Sequence, residues 1–221
     1  MSAVLFGSIS TLADTSELQR QAFNEAFEAC GLDWHWSRDD YTAMLNSNGG
    51  AERIRDYAAS REEDVDAAAV HALKSEIFQR LLSESTVSPR PGVVDVVTEA
   101  KNNHHKVGFV TTTSQGNIDA LLAALQPHIS AEMFDLIVDR DAVEAAKPNA
   151  AAYVFALEQL GERADSAVAI EDNVGGVAAA VTAGIHCIAF PNENTDKSEF
   201  TAAIQIVESL DPGAVFGLVT P

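Results

Sequence analysis

Five short, almost wholly apolar runs punctuate the chain, at residues 4–6, 107–111, 136–138, 167–170 and 186–190. Each is too short for a helix and too uniformly apolar for a strand with one face in water. They read as strands covered on both faces. Between them, apolar residues recur at helical spacing: Val93, Val96, Val97 and Ala100 after Pro91-Gly92, then Ile118, Leu121, Leu122 and Leu125, then Val154, Leu157 and Leu160. Strands that alternate with helices in this way specify an α/β fold, a parallel sheet with helices on both faces. No internal repeat is visible.

The interval from Thr15 to Arg90 breaks the alternation. Leu18, Ala22, Phe23, Ala26 and Phe27 predict an amphipathic helix with Thr15 or Ser16 as N-cap and Gly31 as C-cap. Further helices are expected over 38–45, 52–58 and 65–83. About 75 residues without a strand are too many for a loop, so the spacing predicts a small helical cap domain inserted behind the first strand. Residues 1–14 and 91–221 then form the core, 15–90 the cap, and 84–90 the return hinge. Ligands of open parallel sheets bind at the carboxyl ends of the strands, so the cap is expected over that edge.

The chain of 221 residues carries 33 acidic and 14 basic residues, a formal charge of −19. A field of that sign repels nucleic acid and anionic membranes, and neither is expected as a partner. It also disfavours a phosphorylated ligand unless local cations or backbone N–H groups reverse it. Cys30 and Cys187, the two cysteines, offer neither a disulfide framework nor a paired metal motif. The first residues run directly into a strand without a leader pattern, and no apolar run approaches a membrane span. A cytoplasmic monomer or homodimer is the expectation.

Three polar segments fall at expected strand ends. Thr111-Thr112-Thr113-Ser114 precedes a helix, where hydroxyls and free N–H groups suit an anion, although Ser114 could simply cap the helix. Lys147-Pro148 also precedes a helix, and the lysine either leans over the strand ends or is solvated. Glu171-Asp172 suits Mg²⁺, which takes oxygen ligands, or merely complements a helix dipole.

The order of these segments resembles the haloacid dehalogenase-like superfamily, in its helical-cap subgroup with β-phosphoglucomutase, phosphoglycolate phosphatase and CbbY-like sugar-phosphate phosphatases. Residues 4–15 have the frame of that family's strand and DxDGTLxDT loop. Val168-Ala169-Ile170-Glu171-Asp172-Asn173 and Arg90-Pro91-Gly92-Val93 look like its later phrases. Asn48-Gly49-Gly50-Ala51-Glu52-Arg53-Ile54 is similar to a cap loop of CbbY-like members, in which a basic residue often stands at the place of Ala51. The resemblance covers essentially the whole chain. It implies a Rossmann-like core, a small phosphorylated substrate and a Mg²⁺ cofactor. Thr111 would hydrogen-bond the transferring phosphoryl group and Lys147 would hold its charge. Asp172, Glu171 and the backbone carbonyl of Ile9 would bind the metal. Thr112, Asn48 and Arg53 would bind substrate.

The first motif departs from the pattern. In the family its first aspartate attacks phosphorus, and the second serves as general acid and base; here Gly7 and Ile9 stand in those places. Glycine brings no nucleophile, and isoleucine moves no proton. Ser8 and Ser10 flank the vacancies and Asp14 is near. Strand alternation turns Ser8 away from the face of Gly7, and Asp14 suits a cap at the hinge. The expectation is a hydrolase homologue without the usual aspartyl-phosphate route, or else a silent module that binds a phospho-ligand or a protein. A serine esterase is a third reading, from Thr112-x-Ser114-x-Gly116 followed by Asp172 and His186. His35 between Trp34 and Trp36 marks either a cap rim or cap packing.

Overall fold

The computed structural model describes residues 2–45 and 49–219. Six strands form one parallel sheet: β1 (Ala3–Phe6), β2 (Lys106–Val110), β3 (Leu136–Val138), β4 (Ala167–Glu171), β5 (His186–Ala189) and β6 (Gln205–Ile206), in the order β3-β2-β1-β4-β5-β6. β1 lies between β2 and β4, with Phe6 in register with Phe109 and Ile170. Every residue of β1 and β4 is buried, as their continuous apolar character requires. β6 has no such signature. Its two residues are exposed and lie beside β5, with flanking bonds from Ile204 N to Cys187 O (2.9 Å) and from Val207 N to Ala189 O (2.9 Å).

Alternation along the strands divides the core in two. Val4, Phe6, Val107, Phe109, Val168 and Ile170 face α6 (Val93–Asn102), α7 (Gln115–Ala124) and α10 (Pro212–Phe216). Ala3, Leu5, Val110, Ala167 and Ala169 face α8 (Ala151–Leu160) and α9 (Val174–Thr182). The buried side of α8 is Ala152, Tyr153, Ala156 and Leu157, whereas Val154 is exposed. Small alanines shift that face by one position from the stripe of larger residues, because the sheet beneath them is close.

Between β1 and α6 lie a one-turn helix, α1 (Ile9–Leu12), and four helices in the interval expected to form the cap: α2 (Ser16–Ala29), α3 (Arg38–Met44), α4 (Gly50–Ser60) and α5 (Ala67–Glu84). The cap has its own aromatic centre. Trp36 is fully buried, 4.6 Å from Phe27 and 4.9 Å from Phe23 between ring centroids, and Trp34 packs 5.2 Å from Phe27. These tryptophans hold the cap to itself. Gly31 follows α2 with φ +71°, the left-handed turn expected after it. Phe78, Leu81 and Leu82 of α5 belong to the core's cluster, and Gln79 Nε2 donates to Asn117 Oδ1 of α7 (3.0 Å). On the other side, Arg38 of α3 donates to Asn194 Oδ1 (2.8 Å) and to the carboxylate of Glu193 (2.9 Å). Among the described residues no helix is long and apolar enough to cross a membrane.

Candidate active site

β1 and β4 bring the first and last motifs together. Gly7 N donates to Ile170 O (2.9 Å), so the parallel register continues past Phe6 and sets Gly7 beside Glu171. Alternation then gives Gly7 and Glu171 one face, and Ser8 and Asp172 the other. Ser8 does turn from the face of Gly7, and on the opposite face its Oγ donates to Asp172 Oδ1 (2.6 Å).

On the Gly7 face the space of a side chain is filled. A Cβ built on Gly7 would run into the carboxylate of Glu171 and the hydroxyl of Tyr153. A Cβ on Gly176 would meet the same carboxylate, which is therefore held between two glycines. Glu171 Oε1 accepts from Lys147 Nζ (2.6 Å) and from Tyr153 Oη (2.7 Å). Lys147 also donates to Val110 O (2.7 Å) and to Gly7 O. Glu171 is fully buried and Lys147 is 6% exposed. Burial pushes the Glu171 carboxyl above its ordinary value, against the pull of Lys147, and pushes the Tyr153 hydroxyl well up. The resemblance assigns Lys147 to an incoming phosphoryl group. In the folded chain its ammonium is already engaged by four oxygens, with the carboxylate nearest in charge.

Both oxygens of Asp172 have partners. Oδ1 accepts from Ser8 and from Asn173 Nδ2 (2.9 Å), and Oδ2 accepts from Asn192 Nδ2 (2.7 Å). The Ile9 carbonyl accepts from Ala13 N (3.3 Å) inside α1, and its side chain is packed in the core cluster. Among the described residues no three His, Cys, Asp or Glu side chains stand together as a metal site. Mg²⁺ needs several free oxygens in near-octahedral array. Glu171 Oε2 is buried without a hydrogen-bond partner, but its fellow oxygen is tied to Lys147 and Asp172 to three neutral donors, so the described groups do not form that array as they stand.

Thr111 is buried and its N–H donates to Val138 O (2.9 Å), while its Oγ1 accepts from Thr113 N (3.3 Å). Thr112 follows it in the turn before α7. Ser114 makes no side-chain cap there, so the N–H groups at the start of α7 are not closed by it. Asp14 takes the hinge role: Oδ1 accepts from Ser16 N (3.1 Å) and Oδ2 from Glu193 N (2.9 Å). Ser10 is buried against Thr15 (3.0 Å). His186 begins β5, in register with Val168, at the sheet edge opposite Asp172 and Ser114. The esterase grouping is thereby excluded.

In the cap, Arg53 is buried. It donates to Met44 O (3.1 Å), and its guanidinium lies 5.5 Å from the Tyr41 ring and 5.8 Å from the Phe23 ring. Asn48 lies outside the described residues. Two neighbours of Arg53 were not read from the sequence. Lys74 of α5 is buried over Phe23 (4.8 Å) and Phe78 (5.0 Å) and donates to Gln19 Oε1. Burial, helped by Arg53, brings its ammonium down to about 7. His71, one turn earlier, is brought down to about 4 by burial and by the positive charges of Lys74, Arg140 and Arg53. The signal was present: Lys74 sits between Val70 and Phe78 at helical spacing, a cation in an apolar row. Tyr153 had a similar one, a hydroxyl between Ala152 and Ala156 on a buried face.

Known proteins resemble this chain along most of its length. Residues 10–190 match the family described as haloacid dehalogenase-like hydrolase, a match that begins just after Gly7 and Ile9. Protein CbbY of Cereibacter sphaeroides is 39% identical over 98% of this chain and 96% of its own length. A phosphorylated carbohydrates phosphatase of Thermotoga maritima is 30% identical over 85% of this chain and 84% of its own. The crystal structure of CbbY from Rhodobacter sphaeroides in complex with phosphate superimposes with a TM-score of 0.87 at 39% identity, covering 95% of this chain and 94% of that one. A variant of that protein, in complex with xylulose-(1,5)bisphosphate, gives a TM-score of 0.88 at the same identity and coverage.

Proposed function

This chain belongs to the haloacid dehalogenase-like hydrolase family, and from that premise we propose that it binds a small phosphorylated carbohydrate without turning it over through an aspartyl phosphate. The observation that carries the proposal is the filled space at Gly7. Gly7 itself brings no side chain, and the space beside it is taken by Glu171 and Tyr153, whose hydroxyl and carboxylate are bonded to one another and to Lys147. Ile9 supplies no acid or base, a loss worth about 10²–10⁴ in rate by itself. Of the carboxylate oxygens that would hold Mg²⁺, Glu171 Oε1 is tied to Lys147 and Tyr153 and both oxygens of Asp172 accept from neutral donors, while Glu171 Oε2 is buried without a hydrogen-bond partner. Binding, in contrast, retains its means. The hydroxyl turn at Thr111 and Thr112 sits at a strand end, and Arg53 and Lys74 bring cationic groups to the cap, with His71 beside them as a neutral donor. Phosphate and xylulose-(1,5)bisphosphate are ligands of the similar CbbY structures, and ligands of this chemical kind are assigned to this cleft. On this reading residues 15–90 act as a cap domain over a core of 1–14 and 91–221.

The test pairs turnover with binding. Phosphate release from a panel of sugar phosphates with Mg²⁺ should stay at background, while phosphate compounds raise the melting temperature by mass action. Mg²⁺-dependent release of phosphate from any of them, at a rate lowered by Lys147→Ala, would defeat the proposal. So would the absence of a thermal shift with every phosphate compound.

A further inference from the structure

The turn between β2 and α7 carries three threonines, and the third is tied into the helical insertion. A Cβ built on Gly116 would lie 3.0 Å from Gln79 Nε2, so the bare glycine lets the amide on α5 reach α7. There Gln79 Nε2 donates to Asn117 Oδ1 (3.0 Å), and Asn117 Nδ2 donates to Thr113 Oγ1 (2.9 Å). Asn117 is buried, so the two ends of its amide depend on these partners. Thr113 O accepts from Arg140 N (2.8 Å), which pins the backbone of the turn independently of the amides.

A hydroxyl has one proton to give, and the bonds it accepts decide where that proton is free to go. Thr111 Oγ1 accepts from Thr113 N (3.3 Å), and a backbone N–H can only donate, so the turn itself fixes the sense of that hydroxyl. Thr113 is different. Its partner is an amide, which can present either nitrogen or oxygen. With Gln79 donating to Oδ1, the nitrogen faces Thr113, and the hydroxyl proton is left for another acceptor. With the amide reversed, Oδ1 would take that proton. Among the described residues Thr113 Oγ1 donates to no other protein group.

We infer that Gln79 and Asn117 are positioning residues, through which the helical insertion holds Thr113 as a donor to an oxyanion at the strand ends. Gln79 sets the sense of a hydroxyl that it does not touch. By linkage, an anion that accepts from Thr113 strengthens the tie of α5 to α7 by as much as that tie strengthens the anion. The inference rests on the phospho-ligand reading above and adds a control of that site from the insertion.

Titration of the whole chain with inorganic phosphate, followed by phosphorus NMR, tests it on the parent, Gln79→Glu, Thr113→Val and the double variant. An ionised glutamate can only accept, so Asn117 turns its nitrogen toward it and its oxygen toward Thr113, whose proton is then consumed. Gln79→Glu is expected to weaken phosphate by about tenfold, the scale of one hydrogen bond to a charged group. When valine already replaces Thr113, the same change should matter by less than about threefold. Added charge or disturbed packing would act equally in both backgrounds, and equal losses overturn the inference while phospho-ligand binding stands. A Gln79→Glu variant that binds phosphate like the parent overturns it too. Asn117→Asp, which has no N–H to give, should show the same dependence on Thr113, and it decides the matter if Gln79→Glu fails to fold. If the parent itself does not bind phosphate, the phospho-ligand reading falls and the inference with it.

Discussion

Lys147 and Lys74 are both buried lysines, and they differ in what surrounds them. Lys147, at the strand ends that make the floor of the candidate site, meets Glu171 at 2.6 Å and three further oxygens. Lys74, in the helical insertion, has two aromatic rings, the amide of Gln19 and the positive charge of Arg53. The first lysine is paired with a carboxylate, and the second is surrounded by rings and a neutral amide. The sign of each lysine's nearest charged neighbour makes the difference.

The largest test of the contrast removes each lysine in turn. Lys147→Met leaves Glu171 buried and without its cation, and should cost about 3–5 kcal/mol in urea unfolding. A cost near zero would mean that the floor is not an ion pair. Lys74→Met removes an uncompensated cation from an apolar site, and should leave stability equal or higher while anion binding weakens. A loss of stability as large as that of Lys147→Met would erase the distinction.

Restoring the first motif is the next test. Gly7→Asp forces a side chain into the space of Glu171 and Tyr153 and should cost about 1–3 kcal/mol, the usual range of overpacking. Phosphate release should not return with it. A variant as stable as the parent would show that Glu171 yields its place without resistance.

The pH dependence separates the lysines further. The Lys74 ammonium is brought down to about 7 from its ordinary 10.5, so the folded chain binds fewer protons than the unfolded chain between those values. The charged form is penalised in the fold. Stability should therefore fall as pH drops from about 10.5 toward 7, in the part that belongs to Lys74, by on the order of a few kcal/mol. Anion affinity should rise as pH falls through 7. Lys74→Met should flatten both curves, and a phosphate titration from pH 6 to 9 that keeps its slope in the variant would assign the effect elsewhere. The smallest effect is expected at the cap's outer tie. Arg38 and Glu193 are about half exposed, at 50% and 47%, so Arg38→Ala should cost about 0–1 kcal/mol and less in high salt. A larger change would mean that this tie fixes the closed cap.

The sequence was most legible where a pattern is local. The five apolar runs correspond to β1–β5 because a strand buried on both faces must be apolar at each position. The helices of the interval 15–90 could be read from stripes, capping residues and Gly31. β6 was missed because two exposed residues beside an edge strand carry no pattern at all. Val154 was read as buried because alanines, which form the true inner face of α8, look neutral in a hydrophobic stripe. At the site, the motif order gave Gly7, Thr111, Lys147, Glu171 and Asp172 as neighbours. Their pairing could not be read in the same way.

By itself the sequence determined the α/β alternation, the helical insertion and the presence of glycine and isoleucine at positions 7 and 9. These follow from residue type and short spacing. Only the tertiary structure decided what packs against Gly7. Gly7 and Glu171 are 164 residues apart, and their contact depends on the register of β1 against β4. That register places Glu171, Tyr153 and Lys147 on one face, and Ser8 with Asp172 on the other. A carboxylate in a low-dielectric space takes the nearest cation, and strand pairing determined which one that was.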